Sequence, residues 1–459
     1  MKPHTLYLAS VVFGIIVTGS QANAGQTKPE ANTSSYPIFR SEPSSEKLTF
    51  TEPSPWLEIR RKRIATLLPT MMDKTQLKHW LIVCRENNND PIATHVGCEN
   101  AGGTAVVLFS RTASGVTSRI FSPVSESTAL KELAIFDSVI DVAKKGNAIA
   151  SAAEWLKANV KSSGVAINSF SDNPQADGLS HSQYLELKTF LSDSEIELVS
   201  SEALIFNWLA RKLPEEVRIM SEAADMTSQW QYEAYKTVVP GLTTDKDLAD
   251  FLKRKIADAG VQDGWSPSQN PAVNSGPDRG HSHPTNRVIQ AGDVIQIDFG
   301  IRVFDQWVTD IQRFAYVLKP GEAKAPSNIQ HAWDSALKGS RAAFKKMQPG
   351  VTGKQVHNAQ KEVMNKAGSL PVMWSTGHPV GYVAHDSGPN LGVRSTSDLE
   401  LDVGMTFAFD GFFSWKYPGK NQQMTKTISV EEMVVIKEEG AVFLTKPQTS
   451  LILISDNND

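Results

Sequence analysis

The chain has 459 residues but only two cysteines, Cys84 and Cys98. Two thiols allow one disulfide, or two side chains that merely pack. With no second pair they give a poor zinc-site signal. Charge of one sign is lacking too: 46 Lys plus Arg face 50 Asp plus Glu, the formal charge is -4, and 8% of residues are aromatic. Nothing in these totals points to nucleic acid or to disorder, and no Lys/Arg stripe provides a footprint for a nucleic-acid partner. The apolar run from Leu6 to Val17 is too short for a membrane span.

That run instead follows a Lys near the start and ends in Ala22-Asn23-Ala24, the pattern of a cleaved secretory signal over residues 1–24. The expected mature chain begins near Gly25, exported to a periplasm or secreted and without a membrane anchor. No cysteine adjoins the cleavage site, which argues against a lipidated protein. Residues 25–49 are rich in Pro, Ser, Thr and Glu without an apolar period and read as an extended arm.

From 50 to 205, apolar runs such as "HWLIV", "TAVVLF" and "GVAINSF" alternate with helical patterns such as "SHSQYLELKTFL", as in an α/β domain. A second domain spans 206–459. Pro214 is placed at a helix start, with Glu215 and Glu216 in its first turn. Within this domain the chain repeats itself: "VPGLTTDKDLADFLKRKIADAG" and "QPGVTGKQVHNAQKEVMNKAG" each offer Pro-Gly, a Thr cap, a helix and a closing Ala-Gly. Each copy is followed by a histidine-containing segment and apolar strands, so the expected fold is α+β with pseudo-two-fold symmetry.

The strands spend unusual residues. "VIQIDFGIRVFDQWVTDIQRFAYV" carries Asp298, Asp305 and Asp310; "GHSHP" carries His281 and His283; "GHPVGYVAHD" carries His378 and His385; "FAFDGFF" and "VEEMVV" carry Asp410, Glu431 and Glu432. Carboxylates converging from several strands repel one another and resist burial unless a cation neutralises them. Four carboxylates and one imidazole form a hard, oxygen-rich set suited to manganese, iron, cobalt or zinc rather than copper, with two divalent ions favoured over one. Asp305 reads as a turn residue in "FDQW", His283 as a loop residue beside Pro284, and Glu432 as solvent-facing because it alternates with Glu431.

Order and context together resemble the pita-bread metallopeptidases: aminopeptidase P, prolidase, methionine aminopeptidase and the catalytically distinct creatinase. The resemblance covers roughly residues 50–450, including a creatinase-like amino-terminal domain. It implies Asp298, Asp310, His378, Asp410 and Glu431 as ligands of two divalent metal ions, manganese first, with Asp310 and Glu431 bridging. It implies His281 as a substrate-binding histidine, His385 as a proton-handling group and Asp410 as general base. The implied chemistry is attack on a peptide carbonyl by a hydroxide shared between the ions, on a small peptide substrate, in a homodimer or larger assembly.

The chain departs from the family pattern at four places. Asp298 and Asp310 are twelve positions apart rather than eleven, Asp410 replaces a glutamate, Trp374 stands where the peptidases have a histidine, and Ser429 where they have an arginine. Three functions are therefore carried forward: an exported Xaa-Pro peptidase, a pita-bread enzyme of altered chemistry such as a creatinase- or lyase-like activity, and a catalytically silent, metal-poor binding protein.

Overall fold

The apolar runs become strands because β-branched and aromatic residues suit a pleated surface buried on both sides. The computed structural model describes residues 36–39, 50–51, 53–161, 163–280, 282–418 and 424–455. The expected signal, most of the expected arm, and His281 lie outside the described residues. One piece of the arm is pinned: Ile38 forms a parallel bridge with Phe443.

The first layer is a mixed six-stranded sheet of β1 (His79–Cys84), β2 (Ala105–Thr112), β3 (Gly115–Pro123), β4 (Ser138–Val142), β5 (Gly164–Ile167) and β6 (Glu197–Ser200), in the order β4-β3-β2-β1-β5-β6. Strand β1 pairs antiparallel with β2 and parallel with β5. The helix His181–Phe190 begins on a Ser180–Gln183 capping box, which satisfies two of the free groups at its start. Cys84, at the end of β1, is joined to Cys98 with the Cα atoms 6.1 Å apart.

The second layer contains β7 (Gln262–Asp263), β8 (Ala272–Ser275), β9 (Val294–Phe299), β10 (Ile301–Val303), β11 (Trp307–Val308), β12 (Ile311–Val317), β13 (Gly377–Pro379), β14 (Thr406–Lys416), β15 (Thr425–Lys437), β16 (Gly440–Phe443) and β17 (Ile452–Ile454). Its main sheet runs β13-β14-β15-β12-β9-β8, with β16 on β15 and β17 on β12. From the β15/β12 junction outward, each half repeats the other: β14 then β13 on one side, β9 then β8 on the other. The helices preceding β8 and β13, Asp245–Asp258 and Gly353–Lys366, are both 14 residues long and both open on a threonine capping box, Thr244 with Asp247 and Thr352 with Gln355. Their closing glycines, Gly260 and Gly368, lie at φ 63° and 81°, where a side chain would be strained. The internal repeat is therefore a repeat of structure, the pita-bread pseudo-two-fold.

Helix Pro214–Tyr235 runs along β9 and β12. Its Gln231 amide donates to the carbonyls of Ile297 (3.0 Å) and Ile311 (2.8 Å), and the Tyr235 hydroxyl donates to that of Arg313 (2.6 Å). Helix Ser327–Lys346 presses on β14 so closely that a Cβ on Gly411 would run into the Ala336 carbonyl oxygen. With helices on that side, β15 is buried throughout its middle. The expectation that Glu432 faces solvent is corrected for this reason: its side chain is fully buried, 3.0 Å from Arg313 and 3.7 Å from Arg341, and accepts from the Gln448 amide at 2.8 Å. Alternation separates solvent from core only when one face of a strand is wet, and here neither is.

Candidate metal centre

The site is set by strand register. Asp410 on β14 stands opposite Glu431 on β15, Glu431 opposite Gln312 on β12, and Gln312 opposite Asp298 on β9. Residues directly opposite in an antiparallel ladder share a face, so three carboxylates and one amide form a row across four adjacent strands. Asp310 joins from just outside the ladder, two residues before Gln312, and His378 from β13 at the sheet edge.

Donor atoms of Asp310, His378 and Glu431 lie within 4.8 Å of one another. His378 Nε2 is 3.7 Å from Asp310 Oδ2 and 3.7 Å from Glu431 Oε1. Its Nδ1 is 3.1 Å from the Pro379 carbonyl oxygen, which can only accept, so Nδ1 carries the proton and Nε2 turns its lone pair toward the carboxylates. Burial first, then the neighbouring His385 ring, holds His378 down to about 3, which keeps the imidazole neutral. Burial also pushes the Asp310 carboxyl well above the usual range, followed by repulsion from Glu431, Asp298 and Asp410 and a hydrogen bond with Asp298. Asp410 rises for the same leading reason, then through Glu431 and Asp298. Such carboxylates resist ionising together without a cation, and a neutral imidazole nitrogen facing two of them completes a set that fits a hard divalent ion.

The structure thus brings Asp310, His378 and Glu431 together, and strand register sets Asp298 and Asp410 in line with Glu431. His385 is exposed, its ring edge-on to His378 with centroids 4.2 Å apart. Asp305 lies where the turn was expected, at φ 60° next to Phe304 at φ 51°, with the Gln306 amide donating to the Val303 carbonyl at 3.0 Å. That turn lies within the interval between Asp298 and Asp310. After Phe299 the chain leaves the main sheet and builds β10 and β11 against β7, then rejoins at Ile311 opposite Phe299. The excursion folds on itself, and its length does not disturb the register of the donors.

Around the row stand residues the sequence reading missed or left without a role. Ser429, in place of an arginine, donates to Gln312 Oε1 at 2.7 Å, and the Gln296 amide donates to the same oxygen at 2.6 Å. Gln312 was findable: it lies two residues beyond Asp310 on an apolar strand, the period that returns a side chain to the same face. Trp374 is 43% exposed and packs its ring 6.0 Å from that of Phe412, which shares the face of Asp410 two residues along β14.

Buried acidic residues on adjacent strands of a pita-bread sheet, beside one neutral imidazole, make a candidate metal centre. Residues 218–438 match the model of metallopeptidase family M24, so the chain carries an M24 domain. Among curated proteins it is similar to the probable dipeptidase PepE of Mycobacterium tuberculosis (strain ATCC 25618 / H37Rv), 28% identical over 221 residues, which are 47% of this chain and 53% of the relative. It is also similar to the putative Xaa-Pro aminopeptidase of Mycoplasma genitalium, 26% identical over 239 residues, 51% and 62% of the two chains. The alignment to PepE spans about half of that relative's length. Among solved structures, the dipeptidase PepE of Mycobacterium ulcerans shares the fold at TM-score 0.66 and 20% identity, over 87% of this chain and 99% of that one.

Proposed function

We propose that this protein is an exported metal-dependent peptidase of the Xaa-Pro type acting on short peptides. The observation that carries the reading is the row of Asp410, Glu431 and Asp298 completed by Asp310 and the His378 Nε2 lone pair. A divalent cation there, with manganese proposed and cobalt, zinc or iron as alternatives, supplies Lewis acidity toward a peptide carbonyl and makes water acidic enough to react near neutral pH. The chain's own residues do the rest. Asp298, Asp310, His378, Asp410 and Glu431 hold the cations, two in this proposal. Asp410, as a carboxylate, would take a proton from the attacking water and pass it to the leaving amine. His385, on the exposed side of His378, is the group available to the substrate. His281, the expected substrate-binding histidine, lies outside the described residues.

Export is supported by the signal pattern of residues 1–24 and by the Cys84–Cys98 disulfide, a bond that persists in oxidising compartments. Among the described residues no helix is long and apolar enough to cross a membrane. A homodimer is proposed from the family resemblance, and light scattering measures it. The decisive experiment pairs metal counting with peptide digestion: about two ions per chain and release of the first residue from Xaa-Pro peptides are expected, with loss of both in Asp310→Ala. A metal-loaded protein that cleaves no Xaa-Pro peptide overturns the reading.

A second reading, an enzyme of altered chemistry on the same scaffold, is favoured by the Trp374–Phe412 wall and by Ser429 in place of a cation. Digestion of a mixed peptide library separates the two. A chain that binds no metal would leave the third, a silent binding protein.

A further inference from the structure

Glu216 sits in the first turn of helix Pro214–Tyr235, where an acid is expected to complement the helix dipole, yet its side chain is fully buried. Its Oε2 accepts from the Leu213 amide at 2.8 Å and from Arg63 Nη1 at 2.7 Å. Its Oε1 accepts from Trp307 Nε1 at 3.2 Å and from the Tyr382 hydroxyl. Trp307 stands three residues before Asp310, and Tyr382 three before His385. One carboxylate therefore ties down both segments that deliver these groups to the site. Its counter-charge, Arg63, comes from the first layer of the fold and also donates to the carbonyls of Trp208 and Arg211.

A second buried pair lies alongside. Lys212 Nζ is 3.1 Å from Oδ2 of Asp386, the residue after His385. The same Oδ2 accepts from the Tyr382 amide at 2.9 Å, while Oδ1 accepts from the Ser387 amide at 2.8 Å and from Gln175 of the first layer at 3.1 Å. The Tyr382 ring lies 4.6 Å from Lys212 Nζ and 5.3 Å from the Arg63 guanidinium carbon. A Cβ on Gly381 would run into the side chains of Lys212 and Asp386, so the chain lies directly against the pair.

Burying four charges is a poor way to gain stability, since well-packed apolar side chains of the same volume do as well or better. What the arrangement provides is direction: every oxygen of the two carboxylates has named donors, and those donors come from both layers. We infer that Arg63, Gln175, Glu216, Tyr382 and Asp386 are positioning residues through which the first layer fixes His385 and, across the 4.2 Å ring contact, His378. The inference rests on the peptidase reading for the use made of the two histidines, whereas the placement itself is independent of turnover.

The test uses the full chain reconstituted with cobalt, whose visible absorption reports the ligand field. Tyr382→Phe keeps the ring and removes only the hydroxyl; Gln175→Ala removes the link from the first layer. Each is expected to shift the cobalt spectrum and to lower kcat on an Xaa-Pro peptide about tenfold with KM within about twofold. In a His385→Ala background neither should lower kcat further, because residues acting through one group are not additive. Unchanged spectra with normal kcat, or equal losses in both backgrounds, overturn the positioning role. Shifted spectra in a protein that cleaves no peptide support the positioning and sink the peptidase reading instead.

Discussion

Asp310 is the residue at which the site's cost is most visible. A carboxyl whose value is raised in the folded state binds more protons folded than unfolded, so its stability contribution is lost as pH climbs above the ordinary carboxylate range. Asp310→Asn should therefore leave the chelator-treated protein at least as stable as the wild type at neutral pH, while abolishing the rise in Tm that manganese gives the wild type. Thermal unfolding with chelator and with excess manganese measures both. Lys426 offers the opposite sign. Burial lowers its ammonium from 10.5 to about 8, so the folded state carries the full cost of the charge below pH 8 and sheds it as pH rises toward the unfolded value. Stability should climb by a few kcal/mol across that window. In Lys426→Met the climb should flatten, as read from denaturant unfolding at successive pH values; an unchanged slope would remove Lys426 as its source.

At the scale of elements, the segments that carry Asp298 and Asp310 come together in a close backbone approach at Gly300. A Cβ on Gly300 would meet the Thr309 carbonyl oxygen and the Trp265 ring, next to Asp310. Gly300→Ala is expected to cost about 2 to 4 kcal/mol and to weaken metal binding along with stability, since backbone cannot yield as a flexible side chain can. Isothermal titration with manganese, beside a melting curve, tests whether the two losses travel together. The same scale explains what could be read beforehand. The paired helices were legible because a threonine cap and a closing glycine act within a few residues of themselves. Glu432 was misread because its partners, Arg313 and Arg341, approach from β12 and a distant helix. The donors were legible because acids are rare on apolar strands. The Glu216 and Asp386 clusters were not, because an acid in a helix's first turn or in a loop is ordinary until its burial is known.

For the whole molecule, the Cys84–Cys98 bond joins β1 to the segment before β2 across a separation of 14 residues. A link of that span restricts the unfolded chain and stabilises by about 3 kcal/mol. Cys84→Ser with Cys98→Ser should lower the denaturation midpoint by a corresponding amount and leave metal content unchanged, because the pair lies in the first layer. A loss of metal in that variant would mean that the layers communicate through more than the Arg63 and Gln175 contacts.

The folded excursion between Asp298 and Asp310 bears on how such proteins are recognised at all. Because the candidate donors are placed by which residue stands opposite which, their spacing in the sheet does not follow from their interval along the chain, and a search keyed to a fixed interval would pass over such a chain. The address of each candidate donor is its cross-strand partner rather than its distance along the backbone.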